Sequence, residues 1–184
     1  MKSLFPIFKR MDLHLYLRYY KDKDRSLPLD LDPIGRVILV KEWNEWEREY
    51  VPKSGLEGKT VLDVGTGCGE TPYFFFAKGA ARVICIEPDK EKVLYLLKNG
   101  VKKKWDIEVI ERRFVLEDLR LDFDYMKMDI ESAEKILLGI HNLPPCSIEI
   151  HSASLAKRFA FRFPMMRIEK KYHWPLNTWM GRLD

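Results

Sequence analysis

"VLDVGTGCGE", residues 61–70, sets Gly65, Gly67 and Gly69 at alternate positions directly after a run of aliphatic side chains. A glycine inside a regular element costs roughly 0.5–1 kcal/mol, so three together at a strand's end imply that something approaches the backbone closely. Upstream, "TVLDVG" from Thr60 is a nearly all-apolar strand, as a sheet covered on both faces requires. Downstream, Thr71-Pro72 predicts a helix start, with threonine as N-cap and proline at the first helical position, and Gly79 closes that helix.

The same alternation runs to the C-terminus. "RVICIEPD" is a second strand, and Asp89 caps a helix to Asn99-Gly100 that carries Val93, Leu94, Leu97 and Val101 at helical spacing. "IEVIER" and "FDYMKMD" read as strands three and four, "AEKILLGI" as a helix and "CSIEIH" as strand five. A helix near "SLAKRFAFRF" and a strand pair, "MRIEKKYHW" and "TWMGRLD", complete the chain. This pattern predicts an α/β fold of three α-β-α layers, mostly parallel with right-handed crossovers and an antiparallel C-terminal strand pair. In such sheets ligands bind beyond the carboxyl ends of the strands, where the strand order switches.

Residues 1–55 read as a helical extension, and residues 56–184 as the α/β domain. "DLHLYLRYY" puts Leu13, Tyr16, Leu17 and Tyr20 on one helical face, and "KEWNEWEREY" is a second amphipathic helix stopped by Pro52. No apolar stretch is long enough to span a membrane, and "MKSLFPIF" is too short for a secretory core, so the expectation is a cytoplasmic protein with no membrane partner. Cys68, Cys85 and Cys146 are scattered and odd in number, which fits a reducing compartment and no structural zinc. The net charge of +4 is mild but uneven. Lys157, Arg158, Arg162, Arg167, Lys170, Lys171 and Arg182 face only Glu169 and Asp184 in the last 28 residues, a tail that suits either RNA or ordinary solvation.

Spacing narrows the ligand. A dinucleotide loop reads GxGxxG and leaves its helix N-terminus open to pyrophosphate. Here the pattern is D-x-G-x-G-x-G, and Glu70 stands where the last glycine of GxGxxG would fall. A carboxylate there repels a pyrophosphate and suits a cation.

The segment resembles motif I of the class I, Rossmann-like methyltransferases, an acidic residue followed by GxGxG. The resemblance implies S-adenosylmethionine as cofactor. Asp63 would order the loop and reach toward the methionine part, while Gly65, Thr66, Gly67 and Gly69 make room for the ligand. Glu87, eighteen positions beyond Gly69, would accept the ribose hydroxyls beside Pro88. "FDYMKMDIESAE" further resembles the D-x-E-G-A-E motif of FkbM-like methyltransferases, and "SIEIH" their fifth strand, over roughly Trp46 to His151. Ser132 replaces the usual glycine, and "ERRFV" stands where many methyltransferases receive adenine, which places Arg113 and Phe114 near that ring. In this fold the N-terminal helices often form a lid, whose underside here would be Trp43, Trp46 and Tyr50.

Methyl transfer to a hydroxyl needs alignment and a proton acceptor. Asp129 and Glu131 after strand four, and Glu149 and His151 at the end of strand five, each repeat with the strand period of two and so share a face. The expected catalytic set is Asp129, Glu131, Glu149 and His151, with Asp129 also nearest the methyl group and His151 or Glu131 taking the proton. Glu131 equally reads as a first-turn helix carboxylate and His151 as a capping residue. Carboxylates and imidazole suit Mg²⁺ or Mn²⁺, but the set is expected to work without metal. "NLPPC" at 142–146 precedes strand five and reads as a turn rather than an amino-methylating motif, and His14 and His173 as structural. The function expected is O-methylation of a small-molecule or saccharide-like hydroxyl. The alternatives are an RNA methyltransferase and a non-catalytic module that binds S-adenosylmethionine.

Glutamine is absent and asparagine scarce, while Lys, Arg and Glu abound, the balance of heat-adapted proteins. Scanning calorimetry should place the thermal midpoint above about 65 °C.

Overall fold

The computed structural model describes residues 29–131, 133–172 and 177–184. Its strands are β1 (Thr60–Val64), β2 (Arg82–Ile86), β3 (Ile107–Ile110), β4 (Tyr125–Met128), β5 (Cys146–Ile150), β6 (Arg167–Tyr172) and β7 (Asn177–Leu183). They form one sheet in the order β3-β2-β1-β4-β5-β7-β6. The first five are parallel, and β7 runs antiparallel between β5 and β6. From β1 the chain builds outward through β2 and β3, then returns to lay β4 against the other side of β1. The switch in strand order therefore falls between β1 and β4, just beyond the glycine loop.

The period of two along β1 divides the interior. Val61 faces a core shared with α1 (Pro33–Tyr50) and α2 (Glu70–Ala77), where Trp46, Tyr50, Phe74 and Phe75 are buried. Leu62 and Val64 face a second core with Met126, Met128, Ile148 and Ile150, closed by α4 (Ala153–Arg162) through Leu155 and Phe159. All three cysteines are buried with free thiols, Cys85 and Cys146 inside strands, as small apolar residues.

Several local readings change. Helix α2 starts at Glu70 with Gly69 as its N-cap, so Thr71 lies inside the first turn and its hydroxyl donates to the Asp63 carboxylate at 2.5 Å. Helix α3 (Lys90–Lys103) is capped by Asp89 as expected but continues past Gly100 to Lys103, with Lys104 as its C-cap. It buries Val93, Leu96 and Asn99, while Leu94, Leu97 and Val101 are exposed. The apolar stripe misled because the buried face is completed by a polar residue. The Asn99 amide accepts from the Asp30 N–H at 2.8 Å and donates to the carbonyls of Asp30 and Cys68.

Helix α1 begins at Pro33, ahead of "KEWNEWEREY", because Asp32 caps it by accepting from the Gly35 N–H at 2.6 Å. "AEKILLGI" forms a helix as expected, of the 3₁₀ kind, Glu134–Gly139. The proposed helix at Leu13, Tyr16, Leu17 and Tyr20, together with His14, Ser132 and His173, lies outside the described residues.

The bare loop has a local cause. Gly65 has φ +78°, and a Cβ built there would run into the carbonyl oxygen of Asp129 at the end of β4. At Gly67, φ +69°, a Cβ would stand 2.6 Å from the Glu70 carboxylate. The groups that approach the backbone are thus the protein's own, packed around a tight turn. Gly65→Ala should lower stability by about 2–4 kcal/mol, combining left-handed strain with overpacking, as measured by urea unfolding.

Candidate functional site

A cavity of about 560 Å³ opens at the switch point, over the carboxyl ends of β1, β2, β4 and β5. Four elements supply its walls. The glycine loop gives Gly65, Thr66 and Gly67, and the end of β2 gives Glu87 and Pro88. The ends of β4 and β5 give Lys127, Asp129, Glu131, Glu149 and His151. Helix α1 covers the opening with Ile38, Glu42, Trp46 and Tyr50, one residue every fourth position and therefore one face.

Beneath the loop lies a buried charge pair. Lys127 Nζ stands 3.2 Å from Asp63 Oδ1, and both side chains are almost wholly buried. The same ammonium donates to the Gly65 carbonyl at 2.8 Å. Burial works against the Lys127 cation, yet Asp63 and Asp129 beside it leave its pKa raised. Asp63 is therefore a residue under the loop and does not line the cavity. Its backbone carbonyl also accepts from the Thr66 hydroxyl at 2.8 Å.

Glu87 fastens the loop from the neighbouring strand. One carboxylate oxygen accepts from the Gly67 N–H at 3.0 Å, the other from the Asp89 N–H at 3.0 Å. It is buried and faces the cavity, with lone pairs left for further donors. Arg113 also lines the cavity. The expectation of Phe114 beside the adenine is corrected for its side chain. Its side chain is buried in the second core, 8% exposed, and forms no part of the cavity wall. Gly69 likewise lies off the wall, as the N-cap of α2.

Asp129, Glu131, Glu149 and His151 all line this cavity, brought together because β4 and β5 are parallel neighbours. His151 Nδ1 meets Glu134 Oε1 at 2.8 Å, and Nε2 stands 3.5 Å from Asp129 Oδ1 and 3.9 Å from Glu131 Oε2. Glu149 Oε2 accepts from the Tyr50 hydroxyl at 3.5 Å and from Lys171 Nζ at 3.4 Å. Lys171 is buried and pairs with Glu49 at 2.9 Å, which ties β6 to α1.

Burial opposes the His151 cation, but the hydrogen bond to Glu134 and the charges of Asp129 and Glu131 raise its pKa to about 9. Protonated at neutral pH, it has no lone pair for a proton, so that role passes to the carboxylates. Asp129 is itself held above the usual carboxylate range, first by burial and then by Glu149. Sequence reasoning missed Lys127, Glu134 and Glu42. A lysine within an apolar strand was a visible signal for the first, and the final Glu of "DIESAE" for the second. Glu42 becomes legible only once α1 is placed over the sheet.

The basic tail is largely committed within the fold. Arg162 donates to the Ile140 carbonyl, Arg182 to the carbonyls of Arg48 and Val51, Arg167 pairs with Glu169, and Lys171 is buried. Among the described residues, no helix is long and apolar enough to cross a membrane.

No protein-family model matches the chain. A curated relative from Sulfolobus islandicus rod-shaped virus 1, uncharacterized protein 158B, is 32% identical over 97 residues, which cover 52% of this chain and 60% of that protein. The match thus spans under two thirds of the relative's length.

Solved structures share the fold. The C-terminal domain of precorrin-6Y C5,15-methyltransferase from Rhodobacter capsulatus superposes with a TM-score of 0.56 at 13% identity, over 84% of this chain and 94% of that one. TrmK of M. capricolum, in complex with S-adenosylhomocysteine, gives 0.57 at 15% identity, over 77% and 66%. A proposed RNA methyltransferase from Pyrococcus horikoshii gives 0.53 at 19% identity, over 82% and 80%. The fold is that of the class I, Rossmann-like methyltransferases.

Glu70 offers a pH test. Burial at the mouth of α2 pushes its pKa up to about 7. A folded-state pKa above the unfolded value favours the neutral form, so this contribution is fully present below about pH 4.5 and is lost as pH rises through 7. Glu70→Gln should therefore gain stability relative to the wild type between pH 5 and 8, by about 1–3 kcal/mol, in urea titrations across that range.

Proposed function

We propose that this chain is a methyltransferase that uses S-adenosylmethionine. The reading rests chiefly on one observation: six carboxylates, Glu42, Glu70, Glu87, Asp129, Glu131 and Glu149, line the cavity against Lys92, Arg113, Lys127 and His151. That surplus of negative charge suits a ligand with a sulfonium and an ammonium and no phosphate. Glu87 stands just beyond β2 and lines the cavity, where a carboxylate accepts ribose hydroxyls. The complex of TrmK with S-adenosylhomocysteine, on the same fold, supports the choice of cofactor.

The acceptor is read as a hydroxyl of a small molecule in the half of the cavity beneath α1. The methyl carbon would leave sulfur, whose bonding electron pair stays behind to give the neutral thioether. The oxygen supplies the new carbon–oxygen bond, and its proton passes to a carboxylate, with Asp129 or Glu131 in reach. Helix α1 acts as the roof that excludes water, the role expected of the 1–55 extension. The convergence of Asp129, Glu131, Glu149 and His151 on one concavity favours an enzyme over a non-catalytic module. The FkbM-like reading is retained on "DIESAE", whose last residue, Glu134, carries the His151 contact.

A second reading is an RNA acceptor, favoured by the Pyrococcus horikoshii neighbour. The C-terminal basic residues add little to it, since several are engaged within the fold. RNA binding would leave a steep salt dependence, and a small hydroxyl acceptor would not.

Titration calorimetry with S-adenosylhomocysteine should show one site in the micromolar range. Glu87→Ala, checked for folding by thermal melting, should bind roughly 10–100-fold more weakly, the worth of hydrogen bonds to a charged group. Absence of binding at millimolar nucleoside would end this reading.

A further inference from the structure

The geometry points to a divalent cation site at the β4–β5 end of the cavity, held by His151 Nε2 and Asp129 Oδ1, with the exposed Glu131 carboxylate on its solvent side. An imidazole nitrogen and an oxygen from each of Asp129 and Glu134 lie within 4.8 Å of one another. Three features make this more than a crowd of acids.

The imidazole is aimed. Its Nδ1 meets the fully buried Glu134 at 2.8 Å, which turns Nε2 toward the cavity. A carboxylate behind a histidine is the arrangement that fixes tautomer and ring plane for metal binding. The space in front of Nε2 is too wide for a proton to bridge well. Asp129 Oδ1 is 3.5 Å away and Glu131 Oε2 3.9 Å, whereas adjacent ligands of an octahedral ion about 2.1 Å from each stand about 3 Å apart. Small rotations of two carboxylates close that difference.

Asp129 Oδ1 is also buried without a hydrogen-bond partner, an acceptor that needs a cation or donor from the cavity. Three carboxylates surround the imidazole, and a 2+ ion would displace the Nε2 proton, leaving Nδ1–H donated to Glu134 and the Nε2 lone pair free to bind.

A mixed imidazole and carboxylate set suits Mn²⁺ better than Mg²⁺, which prefers oxygen alone. This departs from the metal-free expectation. The remaining coordination positions face the cavity and would take two neighbouring oxygens of an acceptor, such as a vicinal diol or a hydroxy acid. That use rests on the methyltransferase reading. The cation site does not.

Electron paramagnetic resonance and thermal melting with Mn²⁺ alone, without nucleoside, test the site. Wild type should bind one Mn²⁺ with a Kd below about 100 μM and melt higher with the ion, with Mg²⁺ at least tenfold weaker. Asp129→Asn and His151→Ala should abolish binding. Glu134→Gln should weaken it roughly 10–100-fold, and the exposed Glu131→Gln, which leaves folding untouched, roughly tenfold.

Wild type that neither binds nor melts differently at 1 mM Mn²⁺ would overturn the site, as would Asp129→Asn or Glu131→Gln binding like wild type. S-adenosylhomocysteine titrated into metal-free protein separates the two claims. Nucleoside binding without Mn²⁺ binding sinks the cation site alone, and the converse sinks the cofactor reading alone.

Discussion

The ion pair between Asp63 and Lys127 is the constraint on which the rest of the site depends. Two charges taken out of water cost several kcal/mol each unless geometry and further hydrogen bonds compensate. Here the compensation is structural. Asp63 is met by Lys127 from β4 and by the Thr71 hydroxyl from α2, while Lys127 also holds the Gly65 carbonyl. One buried pair thus joins β1, β4, α2 and the glycine loop. Without it the loop has no reason to keep its turn, and the switch point between β1 and β4 loses its floor.

That constraint also explains the glycines. Their number suggested a ligand pressed against peptide atoms, yet the groups that exclude a Cβ at Gly65 and Gly67 are the Asp129 carbonyl and the Glu70 carboxylate. The loop is bare so that β1 and β4 can end side by side and α2 can begin at once. The cavity that results from this packing is where a nucleoside would lie. Fold and ligand site therefore share a cause, which is why a motif recognised for its function also located the fold.

Legibility followed the physics of each element. The strands declare themselves because residues such as Val61, Leu62 and Val64 are buried on both faces and must be apolar. Asp89 announced α3 through local hydrogen bonding. Where a face is completed by tertiary contacts the sequence misleads. Asn99 is buried in α3 because it ties Asp30 and Cys68 together, while Leu97 and Val101, apolar and correctly spaced, remain in solvent. Glu87, Asp129, Glu149 and His151 were legible because strand ends and period-two spacing place them. Glu42 and Lys171 were not, because nothing local says that α1 and β6 close over the same end of the sheet. Phe114 failed for a related reason: an aromatic after β3 is equally suited to a ring and to a core, and the second core took it.

The surplus of acid in the cavity has a cost, and the structure shows where it is absorbed. Glu70 and Asp129 are held above the usual carboxylate range by burial, so part of their charge is withheld near neutral pH. Lys127 balances Asp63, and Lys171 balances Glu49 and Glu149 from the far side. Of the cavity's other acids, Glu70 and Glu87 lie by the loop, and Asp129 and Glu131 lie in the cluster about His151. They thus fall in two groups, and an organic cation over the loop would meet only the first. A ligand over the loop alone would leave Asp129 Oδ1 without a hydrogen bond, with His151 Nε2 at 3.5 Å for a neighbour. The proposed ion between β4 and β5 would answer that remaining acceptor, which the nucleoside alone does not reach.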